Sequence, residues 1–162
     1  MLQELTALTT LTALTIQQRP YCVRLPAAEL ASLSALTALR SLKLDATFSH
    51  QLPHQAFNQL HQLTRLDIEK WHEFGADPYA ELSWGHLSAC GELCQLHLDG
   101  VVPCLSGEQA LAVWQHLEQL SIWPACSCAE AGFWHVLQQL ASLTKLAVSY
   151  SSNEHPEPSQ LL

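Results

Sequence analysis

The sequence contains no uninterrupted apolar run of about 18 residues, so we expect no membrane-spanning helix. Its first residues, Met1-Leu2-Gln3-Glu4, are not a basic segment followed by an apolar one, and we therefore expect no secretory signal. Charged residues make up only 14% of the chain and apolar residues 48%, which argues against disorder. A length of 162 residues fits one domain with a sizeable core.

Basic residues are scarce in the second half of the sequence. Residues 71–162 contain one, Lys145, against ten acidic residues, whereas residues 1–70 contain six basic and five acidic ones. Nucleic acids and anionic membranes are polyanions, so this imbalance disfavours both and favours a basic protein partner. The alternative is that the excess carboxylates only keep the protein soluble.

Glycine is also scarce, and its six copies are scattered, so no phosphate-binding loop is indicated. The six cysteines would suggest disulfides in a secreted chain, but without a secretory signal we expect reduced thiols and a cytoplasmic protein, with the nucleus as the alternative. Zinc is the other interpretation, with ligands from Cys104, Cys126, Cys128 and His135. Because Cys-x-Cys spacing is unusual for zinc, we expect no metal and no cofactor.

The most informative positive feature is a leucine-x-x-leucine-x-leucine signature that recurs six times with conservative replacements. The copies are Leu11–Leu14–Ile16, Leu39–Leu42–Leu44, Leu63–Leu66–Ile68, Leu93–Leu96–Leu98, Leu117–Leu120–Ile122 and Leu143–Leu146–Val148. The last two apolar residues of each copy lie two apart, which is the period of a strand. The pattern predicts strands near 13–17, 41–45, 65–69, 95–99, 119–123 and 145–149.

The segments before the strands carry apolar residues three apart, as in Leu30, Leu33 and Leu36, and this spacing predicts helices that tighten towards their ends. Pro26, Pro53 and Pro78 are expected at helix starts, since proline suits the first helical turn. In two later units, Ser106-x-x-Gln109 and Ser127-x-x-Glu130 match capping boxes. Alternating strands and helices predict a parallel α/β arrangement.

These six copies resemble the leucine-rich-repeat proteins, and the alternation of long and short units is similar to their ribonuclease-inhibitor-like and cysteine-containing subclasses. The resemblance implies an α/β solenoid of about six repeats, with a curved parallel sheet inside and helices outside. It covers a domain at residues 1–150, followed by a polar tail at 151–162 that we expect to be disordered. One departure is the missing asparagine or cysteine after each strand, where the chain has Arg19, Thr47, Trp71, Val101, Ala125 and Ser151.

The ends of such an array need capping units, because a solenoid exposes its core unless terminal units cover it. No polar capping segment is recognisable before the first repeat or after the last. We therefore expect either a fragment of a longer solenoid or end-to-end association through the uncapped repeats.

The resemblance also implies where a partner binds, because ligands of this family usually contact the inner sheet face. The residues that flank the buried strand leucines include an acidic row, Asp45, Glu69 and Asp99. We predict that this face binds a basic protein, with aromatic anchors at one end of the row. The predicted partner-binding residues are Lys43, Asp45, Asp67, Glu69, His97, Asp99, Trp123 and Tyr150. The alternative is a solvated row that Lys43 and Lys70 partly neutralise.

Catalysis is the less favoured interpretation. Cys94, His97 and Asp99 could be drawn as a nucleophile set, but a sheet face offers no recognisable oxyanion hole, so we predict a non-enzymatic interaction scaffold without catalytic residues. Two alternatives stay open. Cysteine-containing leucine-rich repeats often recognise substrates for ubiquitin ligases, although the chain has no F-box pattern. A GTPase-activating leucine-rich domain would need an asparagine or arginine aimed at the nucleotide.

Overall fold

The computed structural model describes residues 2–17, 25–46, 54–70, 80–104, 114–123 and 137–149. Its strands are β1 (Ala13–Gln17), β2 (Ser41–Ala46), β3 (Arg65–Lys70), β4 (Ala80–Ser83), β5 (Gln95–Asp99), β6 (Val101–Cys104), β7 (Gln119–Trp123) and β8 (Lys145–Val148). Six of them form one parallel sheet in the order β1-β2-β3-β5-β7-β8. The six strands predicted from the leucine signature are confirmed, each to within one residue at its ends.

The register of the sheet aligns the signature residues of successive copies. Leu42 pairs with Leu66, Leu66 with Leu96, and Leu96 with Leu120. Side chains alternate between the two faces of a strand, so these leucines and the apolar residues two positions later line one face. From β2 to β7 both sets are buried. This face is the core face, and the opposite one is called the open face below.

Successive units are joined in the same way. In each, the carbonyl that precedes one strand accepts two backbone N–H groups from the start of the next: Thr12 O from Arg40 and Ser41, and Arg40 O from Thr64 and Arg65. The carbonyls of Thr64, Cys94 and Glu118 repeat the arrangement. These bonds fix the register, so residues at equivalent positions of the sequence lie side by side in space.

In the described parts of the segments that connect the strands, helices are sparser than predicted and tight turns are common. Only one α-helix has both ends in the described residues, α1 (Ala27–Ala31), and Pro26 directly precedes it. It continues into a 3-10 helix at Ser32–Ala35, and three more 3-10 helices lie at Leu2–Ala7, His54–Ala56 and Trp84–Leu87. A period of three matches the three residues per turn of a 3-10 helix. It keeps Leu30, Leu33, Leu36 and Leu39 buried on one side.

A second, two-stranded parallel sheet pairs β4 with β6, with Leu82 opposite Pro103. A helix was expected to start at Pro78, but the chain forms a strand at Ala80–Ser83, so that expectation was wrong there; Pro78 itself lies outside the described residues. β5 passes into β6 at Gly100, whose φ of 66° lies in the left-handed region that glycine adopts without strain. The Gly100 N–H donates to Trp123 O at 2.6 Å.

Among the residues that the structure describes, no helix combines the length and apolar character needed to cross a membrane. Several sequence-based predictions fall outside this part of the chain, namely the 151–162 tail, the capping boxes at 106–109 and 127–130, Pro53 and the zinc candidates Cys126, Cys128 and His135. Of the positions expected to replace the asparagine ladder, only Val101 is described, and it lies in β6.

Candidate binding site on the open face of the sheet

The open face presents three rows of side chains, because the strands are in register. The first row is Ala13, Ser41, Arg65, Gln95, Gln119 and Lys145; the middle row is Thr15, Lys43, Asp67, His97, Ser121 and Ala147. In the third row, Gln17 and Trp123 flank the acidic row Asp45, Glu69 and Asp99. Adjacent residues of a row are separated by one strand spacing, about 4.8 Å. The first row therefore carries mainly amide and basic side chains, whereas the third row carries mainly carboxylates.

Lys43 lies at the centre of an ion-pair cluster. Its Nζ donates to Glu69 Oε1 at 2.6 Å and lies 3.7 Å from Asp67 Oδ2. Arg65 Nη2 approaches the same Asp67 oxygen at 3.9 Å. The side chain of Lys43 is 30% exposed and that of Glu69 33%, whereas that of Arg65 is 58% exposed. The cluster therefore sits on the open face with partial access to solvent.

The surroundings of Lys43 favour its charged form. The hydrogen bond to Glu69 raises the pKa of Lys43 above its usual 10.5; burial lowers it by a smaller amount, and the charges of Asp67, Glu69 and Asp45 raise it further. Because the folded protein holds this proton more tightly, the contribution of Lys43 to stability is complete below pH 10.5 and is lost as the pH rises through the raised pKa.

Asp67 is the buried member of the cluster, with an exposure of 7%. Its Oδ1 is buried and has no hydrogen-bond partner among the described residues. Among the described residues, its other oxygen has ion-pair contacts with the ammonium of Lys43 and the guanidinium of Arg65, both beyond 3.5 Å. Asp67 is one of the predicted partner-binding residues, and its burial leaves only a small part of it exposed on the open face.

The predicted consequence is that Lys43→Gln destabilises the protein by about 1–2 kcal/mol. A fully buried ion pair costs about 3–5 kcal/mol to break, and exposed pairs about 0–1, so a half-buried cluster falls between them. Urea unfolding at pH 7 measures the change. Lys145→Gln is the control, since Lys145 lies exposed on the same face and its loss should change stability by less than about 0.5 kcal/mol. Equal effects of the two changes would contradict a special role for Lys43.

The acidic row ends beside an aromatic side chain. Asp99 pairs in register with Trp123, whose side chain is 57% exposed, and Glu69 pairs with Asp99 on the other side. Large exposed aromatics are common at protein interfaces and rare on unused surface. Tyr150, the second predicted anchor, lies outside the described residues, as does the side chain of Lys70.

A groove of about 380 Å³ runs across four strands of the open face. It is lined by residues of all three rows and by the strand leucines between them: Arg65, Leu66, Asp67, Glu69, Gln95, Leu96, His97, Gln119, Leu120, Ser121, Lys145 and Ala147. Three of the predicted residues, Asp67, Glu69 and His97, therefore line one groove. Reasoning from sequence missed the first-row residues Arg65, Gln95, Gln119 and Lys145. Strand alternation would have found them, since they lie two positions before the middle row.

The nucleophile set Cys94, His97 and Asp99 is not favoured by the surroundings of its thiol. Cys94 precedes β5, and its Sγ donates to the backbone carbonyl of Glu92 at 3.3 Å. Burial raises the pKa of the Cys94 thiol, and the negative charges of Glu118 and Glu92 raise it further. A thiol in this setting stays protonated at neutral pH, whereas a cysteine nucleophile needs a lowered pKa.

Comparison with known proteins identifies no relative: no family model matches the chain, and no curated protein matches it either.

Proposed function

We propose that this chain is a leucine-rich-repeat solenoid that acts as a non-enzymatic scaffold, and that its open sheet face binds a protein partner with a basic surface. The observation that carries the proposal is the acidic row Asp45, Glu69 and Asp99, held in register beside the exposed Trp123.

The repeat architecture is supported by the equivalence of the six units. Each contributes one strand to the same parallel sheet, each strand start after the first donates two N–H groups to the preceding unit, and the signature leucines of the central strands are buried. Such stacking buries a continuous core that no single unit could form alone. The open face is then a broad surface whose side chains vary from strand to strand while the core face stays constant.

The preference for a basic partner follows from the distribution of charge on this face. Asp45 and Asp99 lie on either side of Glu69 at one strand spacing, so three carboxylates are neighbours in the third row. Carboxylates so close repel one another, and cationic side chains of a partner would relieve this repulsion. Trp123 would supply apolar contact area at the end of the row.

The cysteines support two further parts of the proposal, the non-enzymatic role and the compartment. A protonated Cys94 thiol disfavours nucleophilic catalysis and so supports a scaffold. Cys90 and Cys94 are free thiols, which supports a reducing compartment, and we place the protein in the cytoplasm on this ground.

The test is affinity capture from cell extract with a double variant, Asp45→Lys with Asp99→Lys. Both changes lie on the open face and leave the residues of the ion-pair cluster, Lys43, Arg65, Asp67 and Glu69, unchanged. We expect the variant to lose the basic proteins that wild type retains, with a loss of at least tenfold in the amount recovered, since buried charge contacts at interfaces contribute about 2–5 kcal/mol.

The matched control is Glu4→Lys with Glu92→Lys, which changes the net charge by the same amount at exposed positions off the three rows. It should keep the partners of wild type. Partners retained by both variants, or lost from both alike, would contradict binding at the open face. Trp123→Ser tests the aromatic contact separately and should weaken capture without changing the charge.

A further inference from the structure

Two carboxylates of the ion-pair cluster, those of Asp67 and Glu69, lie close to the imidazole of His97. Asp67, Glu69 and His97 each offer one ligand atom, and these atoms all lie within 4.8 Å of one another. The sheet fixes this arrangement, because Asp67 pairs directly with His97 across β3 and β5, and Glu69 follows Asp67 by two residues on the same face. Two carboxylates and an imidazole form a donor set suited to first-row transition metals.

A second observation points to a ligand at this place. Asp67 is more than nine-tenths buried, and its Oδ1 has no hydrogen-bond partner among the described residues. A buried polar atom without a hydrogen bond destabilises the folded state by about 1–3 kcal/mol, so such atoms normally have a partner in folded proteins. The neighbouring Glu69 and His97 offer no hydrogen bond to it in this structure. A cation bound between the three side chains would satisfy it.

The local charge favours a divalent ion. Four carboxylates occupy adjacent positions on the open face, those of Asp45, Asp67, Glu69 and Asp99, and closely spaced carboxylates attract a cation. The ammonium of Lys43 lies 2.6 Å from Glu69 Oε1 and 3.7 Å from Asp67 Oδ2, and so competes with an ion for these two carboxylates. Its side chain is 30% exposed and flexible, so it can turn away into solvent.

We propose that Asp67, Glu69 and His97 form a binding site for a divalent transition-metal ion, with Zn²⁺ as the biological candidate. In the metal-free protein the ammonium of Lys43 binds the carboxylates of this site, and the metal displaces it. Zinc bonds of about 2.1 Å separate tetrahedral ligand atoms by about 3.4 Å, so the three side chains must draw together by roughly 1 Å. All three residues line the groove, so the fourth coordination position of a bound ion would face the groove. The site requires no protein partner, and it goes beyond the scaffold function.

The experiment titrates the purified full chain with Zn²⁺ and with Co²⁺, using calorimetry for affinity and visible absorption for coordination. We expect one site whose Co²⁺ spectrum lacks thiolate bands. His97→Gln, Asp67→Asn and Glu69→Gln should each weaken binding at least about tenfold, because each removes a ligand. His116→Gln is the matched control, since His116 is exposed and lies off the three rows, and it should bind as wild type does.

Lys43→Gln separates this proposal from a purely structural cluster. It should bind the metal severalfold more tightly than wild type, although it is less stable without metal, because the competing ammonium is gone. Weaker or unchanged binding in this variant would overturn the role of Lys43. Unchanged binding in His97→Gln, a thiolate spectrum, or no binding to wild type would overturn the site. Partner capture by Asp45→Lys with Asp99→Lys tests the scaffold function independently, since neither change removes a proposed ligand.

Discussion

Leu66→Ala is expected to destabilise the protein by about 2–5 kcal/mol, while Leu146→Ala, at the equivalent position of the last strand, is expected to cost less than about 1.5 kcal/mol. The two residues occupy the same place in the leucine signature. They differ in burial, since Leu66 is fully buried in the middle of the sheet and Leu146 is 44% exposed on β8.

The physical reason is that truncating a buried leucine loses transfer free energy and also leaves a cavity, which the surrounding structure closes only partly. Leu66 lies between Leu42 and Leu96 and is covered by the core face. Among the described strands, Leu146 has a neighbour on one side only, in β7, and it already contacts solvent, so its loss opens no enclosed space.

Urea unfolding of both variants beside wild type measures the difference, with a constant denaturant slope as the check that unfolding stays comparable. Similar losses for the two leucines would mean that β8 is covered as fully as β3 in solution, and the stated difference in burial would then be wrong. Leu8→Ala gives a second reference, because Leu8 is 47% exposed near the first strand.

The strands could be predicted from sequence because two independent patterns coincide at each of them. In the third copy, for example, the alternation of Leu66 and Ile68 sets the strand, and Leu63 three residues earlier marks the turn into it. The helices were less predictable, since spacing by three fits an α-helix that tightens and a continuous 3-10 turn equally well. The pairing of β4 with β6 could not be predicted, because it joins residues 80–83 to 101–104 across an intervening strand of the main sheet.

The candidate site was predictable in its rows but not in its contacts. Equivalent positions of the repeat placed Asp45, Glu69 and Asp99 side by side, as the register shows. That Lys43 reaches diagonally to Glu69 rather than only across to Asp67 depends on side-chain length and rotamer, which no spacing encodes. The burial of Asp67 is likewise a property of its neighbours. The groove and the metal donor set follow from these contacts, and only the structure brings them together.

Cys90 is predicted to make the protein sensitive to alkaline pH. It occupies the position that Leu36, Leu60 and Leu140 fill in other units, and it is fully buried. Burial raises the pKa of the Cys90 thiol from 9.0 to about 12, since a thiolate would lose its hydration in the core. Its Sγ lies 3.9 Å from Phe57 O, a carbonyl that cannot stabilise a negative charge.

The sign of the effect follows from proton binding in the two states. Between pH 9.0 and about 12 the unfolded chain releases the Cys90 proton while the folded protein retains it, so the free energy of unfolding falls as the pH rises. The slope from this group is about 1.4 kcal/mol per pH unit, which amounts to about 2–3 kcal/mol at pH 11. The stability that the neutral thiol contributes is complete below pH 9.0 and is lost through this window.

Cys90→Val tests the prediction, because valine is apolar, does not titrate and adds little volume where other units hold leucine. Urea unfolding under reducing conditions at pH 8 and pH 11 should show a smaller loss between the two pH values in the variant than in wild type, by about 2–3 kcal/mol. Because each protein is compared with itself at the two pH values, the effect of the substitution on packing does not enter the result. Lys43 and Cys94 also lose protons in this range with the same sign, so a residual slope should remain in Cys90→Val. Cys94→Val should retain most of the wild-type loss, since Cys94 is partly exposed. An unchanged loss in Cys90→Val would show that the thiol does not remain buried and protonated in the folded core.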